Sequence, residues 1–175
     1  MRKIILGFCL FAAGCAGSET KSPGAPSPSS QGPVATEARA GTELPFSGTL
    51  ETVETHQFQP PNFIVAHLEG KGIASHLGRF TSVSDFTINT VTAMGAGTLT
   101  LTAANGDQLF ATVTGEAVGG TPDRLQIDET FTITGGTGRF TGASGSFTST
   151  RFADTTTVPR IPSSGSFEGT IDLNR

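Results

Sequence analysis

The chain of 175 residues has no Trp, no Tyr, three His and two Cys, and only 15% of it is charged. Each scarcity excludes something. A formal net charge of −4 is the wrong sign for a nucleic-acid binder. Leu, Glu and Lys are too sparse for a helical bundle. Both cysteines, Cys9 and Cys15, fall in the first fifteen residues. The chain beyond them therefore has no disulfide and no thiolate metal site, and must hold together by packing. The histidines do not converge either. His67 shares strand parity with Glu69 and Lys71, a wet face, whereas His76 shares it with Ala66, Leu68 and Ala74. A zinc site needs three or four convergent ligands, so no metal is expected. No cofactor motif is present. Gly135-Gly136-Thr137-Gly138 precedes no helix and lacks the Lys of a phosphate loop, so its glycines read as turn residues.

The first residues carry an address. Arg2 and Lys3 precede an apolar run from Ile4 to Ala13, too short to span a bilayer. The run ends in Ala12-Ala13-Gly14-Cys15. This resembles the bacterial lipobox, in which small residues precede a Cys that is lipidated and becomes the mature N-terminus. Residues 1–14 are thus expected to be a lipoprotein signal peptide and Cys15 the lipidation site. An ordinary secretory signal with cleavage nearby is the alternative. Cleavage before Cys15 leaves nine basic residues against 15 acidic, a net charge of −6. The acyl chains, not charge, would then hold the protein to a membrane. The expected location is the bacterial cell envelope. Ala16 replaces the Asp that favours inner-membrane retention, which points to the outer membrane. Residues 15–44, rich in Pro, Ser and Gly, cannot bury a core and read as a disordered tether spanning about 30 Å on average.

Residues 45–175 read as strands throughout. Short apolar–polar alternations are broken by Gly, Asn, Asp and Pro, and none keeps a helical period. Eight strands are expected near 46–56, 63–75, 79–91, 96–103, 108–117, 125–135, 144–153 and 165–173. Asn105-Gly106 marks the clearest hairpin. Leu99, Leu101, Leu109, Val113, Phe131 and Ile133 alternate with Thr, so one face is apolar and the other Thr-rich. The apolar face points inward, which excludes a membrane-spanning barrel. The fold class is all-β, an eight-stranded antiparallel β-barrel behind the tether. Gly78-Arg79-Phe80-Thr81 recurs sixty residues later as Gly138-Arg139-Phe140-Thr141, compatible with a duplicated half-barrel or with chance reuse of a turn.

Ile133-Thr134-Gly135-Gly136-Thr137-Gly138-Arg139-Phe140, followed by Ala143-Ser144-Gly145-Ser146-Phe147, resembles the strand–turn–strand of the allene oxide cyclase and dirigent superfamily. The chain also looks like bacterial secreted proteins of that barrel type. The resemblance implies an eight-stranded barrel with a central cavity and no cofactor. In plants such barrels cyclise a fatty-acid epoxide or steer phenoxy-radical coupling. The motif covers about a tenth of the chain and is a turn, so it speaks to fold rather than to activity.

Several polar residues fall on inward parity. Glu129 lies between Ile127 and Phe131, and Arg151 aligns with Phe147 and Ser149. A buried carboxylate demands a partner, and these two on neighbouring strands would pair. The pair is either structural or a candidate catalytic site, with Glu129 handling a proton and Arg151 contacting an anion. Ser82, Ser84 and Ser149 face inward as candidate ligand contacts, with His76 at the barrel mouth. Inward Phe at 46, 80, 86, 131, 147 and 167 would nearly fill the interior. The leading expectation is an envelope lipoprotein whose barrel is a binding or interaction module for a small apolar ligand. The alternatives are a cofactor-free cyclase or isomerase, and a structural envelope protein. Expected partners are a membrane, through the N-terminal lipid, and an apolar ligand, with no nucleic acid.

Overall fold

A computed structural model describes residues 42–173. The signal peptide, Cys15 and nearly all of the tether lie outside the described residues. Eight strands follow one another around a closed barrel. They are β1 (Glu43–Gln59), β2 (Phe63–Ala74), β3 (Gly78–Asn89), β4 (Met94–Ala103), β5 (Gln108–Thr121), β6 (Arg124–Gly136), β7 (Ser144–Asp154) and β8 (Arg160–Asp172). Every neighbouring pair is antiparallel, and β1 closes on β8 from Glu43↔Asp172 to Thr55↔Arg160. All of this pairing lies within residues 43–172, so the barrel completes its own ladder and core without the residues before it.

The expected architecture is the observed one. Two boundaries moved in ways that matter. β1 runs to Gln59, and β8 starts at Arg160 rather than near 165. Pro162 sits inside β8 opposite Val53, on the outer wall. The early part of β8 brings in Ile161 and Ser163, both buried. In the Asn105-Gly106 turn only Gly106 adopts positive φ, at +90°.

The stagger of the barrel follows from its register. Cross-strand partners run from Ile161 to Glu54, Leu68, Ser84, Leu99, Ala111, Ile133, Gly145 and back to β8 at Ile171, ten residues further along. Such a shear tilts the strands steeply about the axis. The end at which β1 begins is plugged by buried turn residues and is the closed end; the other is the open end.

The closed end is apolar. Phe46, Phe80, Phe131, Phe147 and Phe167, from five strands, form one aromatic cluster with Phe131 stacked on Phe147 at 4.5 Å. Leu77, Phe140 and Ala143 plug it from the turns. The two Gly-Arg-Phe-Thr copies both sit here, the first as the opening residues of β3 and the second in the turn before β7. Gly78 and Gly138 both take positive φ, Phe80 and Phe140 are both buried, and Arg139 Nη2 donates to the Leu77 carbonyl at 3.2 Å. The copies are thus four strands apart around the barrel. Outside, Thr98, Thr112, Thr114, Thr130, Thr132 and Thr134 are exposed, so the Thr face is the wet one.

Candidate functional site

The interior changes character toward the open end. Above the phenylalanines the inward positions become Thr52 and Glu54 on β1, Ser82 and Ser84 on β3, Glu129 on β6, Ser149 and Arg151 on β7, and Ser163 on β8, all buried. These are the polar members of strands whose alternation is otherwise apolar.

Arg151 is the hub. Its Nε donates to Glu129 Oε1 at 2.9 Å, and its Nη1 donates to Glu54 Oε2 at 3.0 Å and to Ser163 Oγ at 3.2 Å. Ser163 Oγ lies 2.6 Å from Thr52 Oγ1. The other carboxylate oxygen of Glu54 meets His56 Nε2 at 2.5 Å. The His56 side chain is one-third exposed, whereas Glu54, Arg151 and Glu129 are closed off from water. A hydrogen-bonded path therefore leads from solvent at His56 through Glu54 and Arg151 to Glu129.

The two carboxylates titrate apart. Burial pushes Glu54 upward, but the His56 hydrogen bond and the Arg151 charge together hold it below the usual glutamate range. For Glu129 burial wins over Arg151, and its carboxyl is raised. The difference has a plain cause: Arg151 divides its charge between two acids, and only Glu54 has His56 as well. Burial works against the Arg151 cation, yet its two carboxylates hold it charged. Of the two carboxylates Glu129 is thus the one that accepts a proton more readily.

The expected Glu129–Arg151 pair is present. Of the expected ligand contacts, Ser82, Ser84 and Ser149 do face inward. Ser84 Oγ donates to the Thr98 carbonyl at 2.9 Å, while the hydroxyls of Ser82 and Ser149 are buried without a partner. His76 is elsewhere. It occupies the turn before β3 at the closed end, exposed, with φ +63° and its Nε2 3.0 Å from the Pro45 carbonyl. Strand parity does not extend into a turn, so the inward assignment of His76 fails. His67 is on the outer wall, 2.7 Å from Asp85, and this contact raises its pKa. Among the described residues no group of three His, Cys, Asp or Glu gathers as metal ligands. Glu54, His56, Thr52 and Ser163 were not anticipated. The signal for Glu54 was available, because Phe46, Gly48, Leu50, Thr52 and Glu54 alternate with an outward row just as the β6 residues do.

Above the cluster, at the open end, the inward positions turn apolar and form the mouth of the barrel. Ile64, Ile88, Ala117, Leu125 and Ile127 hold inward positions and are only half-buried. Water therefore reaches the inside of the wall here. A separate hollow of about 980 Å³ runs along the outer wall, past Glu51, Lys71 and Asp154, where the Arg124 guanidinium lies 4.2 Å over the Phe152 ring. It holds no buried ionisable side chain, so the mouth and its charged floor are the better candidate site.

Comparison with family models finds no match, and comparison with curated proteins finds none either. Among solved structures the chain is similar to a pterocarpan synthase dirigent protein, with 13% identity and a TM-score of 0.53, over 75% of this chain and 85% of that one. At that identity the likeness is one of fold: this chain is built as a dirigent-type eight-stranded barrel.

Proposed function

We propose that the protein is an envelope-anchored lipoprotein whose barrel binds a small, largely apolar molecule at its open end. One observation carries this reading: half-buried apolar side chains line the mouth above a buried Glu54–Arg151–Glu129 floor. Apolar walls with a few convergent polar groups are what a small-molecule site requires. The walls would hold the hydrocarbon part of the ligand. The floor would take a polar group, through Glu129 or through His56 at the water boundary. The anchor reading rests on Ala12-Ala13-Gly14-Cys15, which supports a bacterial envelope location, in the outer membrane where there is one.

The test is native mass spectrometry of residues 42–175 after incubation with a lipid extract and repurification. A reproducible added mass, lost in Ile127→Trp, is expected. A clean apo mass from every extract would overturn the binding reading. The anchor has its own assay. Radiolabelled palmitate should enter the full chain in a lipoprotein-processing host and should not enter Cys15→Ser.

A second reading, a cofactor-free cyclase or isomerase, is favoured by one feature, the raised carboxyl of Glu129. A buried acid able to give and take a proton beside a fixed cation suits proton transfer. That reading requires Glu129→Gln to bind ligand normally and to turn nothing over.

A further inference from the structure

The open rim differs from every other part of the surface. Among the described residues, eight large apolar side chains are exposed, and six of them stand at this one end: Phe58, Phe63, Val91, Met94, Val118 and Val158, between 39% and 72% exposed. They come from the ends of β1, β2, β4 and β5 and from the β3–β4 and β7–β8 turns. The four turns at this end are 60–62, 90–93, 122–123 and 155–159, and they carry a single charged side chain, Asp123. The closed end exposes one large apolar side chain, Ile73 near the end of β2, and Val83 stands alone on the outer wall of β3. Solvated loop tips would be polar and charged, and an apolar rim of this kind marks a surface that meets something apolar.

We infer that this rim docks on the lipid surface to which the chain is anchored, so that the barrel mouth opens onto the membrane. The inference rests on the lipid-anchor reading of Cys15. Three observations favour a lipid surface over another protein. The turn tips are nearly uncharged, which suits insertion into the interface of a zwitterionic bilayer, while the acidic body disfavours anionic lipid. The apolar tips encircle an opening whose inner wall is itself apolar, so a hydrocarbon ligand would pass from bilayer to barrel without crossing water. The chain is also long enough. Cys15 precedes Glu43 by 28 residues, at most about 95 Å of chain at ~3.4 Å per residue. β1 begins at the closed end, and a steeply tilted strand the length of β8 raises the rim about 30 Å above it. An anchor on the closed-end side can therefore still let the rim turn to the membrane. Anchoring also holds the rim at a high effective concentration near lipid, so a weak intrinsic affinity suffices.

The test imposes the anchor, so its outcome does not depend on whether Cys15 is acylated. The barrel of residues 42–175 contains no cysteine. Single probes can be placed by Val91→Cys and Val158→Cys at the rim and by Asn105→Cys at the closed end, each labelled with an environment-sensitive fluorophore. The protein is held by an N-terminal histidine tag to phosphatidylcholine vesicles doped with nickel-chelating lipid. Expected is a blue shift of both rim probes, with quenching by nitroxide-labelled lipid, and neither effect at Asn105→Cys. The combined variant Phe58→Ser, Met94→Ser, Val158→Ser should lose the shift at Val91→Cys while keeping its far-ultraviolet spectrum. Equal behaviour of rim and closed-end probes overturns the proposal. So does a rim shift that appears without vesicles as protein concentration rises, which would assign the rim to a second copy of the chain.

Discussion

Glu54 on β1 and Glu129 on β6 share one cation, Arg151, at 3.0 Å and 2.9 Å, and neither is exposed to water. Two buried acids on a single guanidinium make removal of that guanidinium the most damaging change available. Arg151→Met would leave Glu129 without a counter-charge and Glu54 with His56 alone, a loss of about 3–5 kcal/mol. Glu129→Gln leaves a one-to-one pair of Arg151 with Glu54 and should cost no more than about 1 kcal/mol near neutral pH. Urea denaturation of the two variants checks the order. Equal losses would mean that the cluster is not organised around Arg151.

The same pair sets the response to pH, with opposite signs for its two acids. Glu54 is depressed in the fold, so its contribution is present above the unfolded value of about 4.3 and is lost as pH falls through the folded one. Glu129 is raised, so its contribution is present below that value and is lost as pH rises through the folded one. Stability should peak in the mildly acidic range. Glu129→Gln should flatten the alkaline side of the curve. His56→Ala removes a hydrogen bond that depresses Glu54, so the folded value moves towards the unfolded one and the acid-side loss should become smaller. Thermal melts across pH 3–9 read all three profiles.

How much of this was legible in the sequence depends on which interaction decides each feature. Alternation fixes the face of a residue inside a strand, so Phe131, Glu129 and Arg151 were placed inward and are inward. The same rule misplaced His76, because a turn residue at φ +63° obeys no parity. β8 starts at Arg160, ahead of the stretch from 165 that the alternation marks. Pro162 lies beyond the β7–β8 ladder, which ends at Ala153↔Ser163, so it is at an edge on that side. Starting β8 near 165 hid Ser163, and with it one of the three acceptors of Arg151. The meeting of Glu54 with Arg151 is a different matter. It joins residues 97 apart through the closure of β1 on β8, and no local pattern encodes which strands close a barrel.

The aromatic cluster of the closed end is the main apolar store. Phe147 touches Phe46, Phe131 and Phe167, with ring centroids at 5.2, 4.5 and 5.2 Å. Phe147→Ala should cost about 3–5 kcal/mol through transfer and cavity terms together, and Phe147→Leu clearly less. Because this cluster lies away from the mouth, ligand retention by native mass spectrometry should survive Phe147→Leu. Loss of retention there would argue that the ligand lies deeper than the charged floor.

The inward glycines let strands approach closely, and they divide by position. A Cβ at Gly97 would overlap the Asp85 carbonyl of the neighbouring strand, whereas one at Gly95, two residues nearer the mouth, would be crowded by Ile88 Cγ1 alone, at 3.1 Å, with Phe86 and the Thr87 carbonyl at ordinary contact distance. Ile88 is half-buried at an open edge and can shift by a few tenths of an ångström, while the β3 backbone is pinned by β2 on its other side. Gly97→Ala should therefore destabilise by about 2–3 kcal/mol or prevent closure, and Gly95→Ala by less than about 1 kcal/mol. Gly95→Ala also narrows the mouth. A variant that keeps its melting temperature yet loses the added mass in native mass spectrometry would locate the bound molecule against β4, within reach of Ile88.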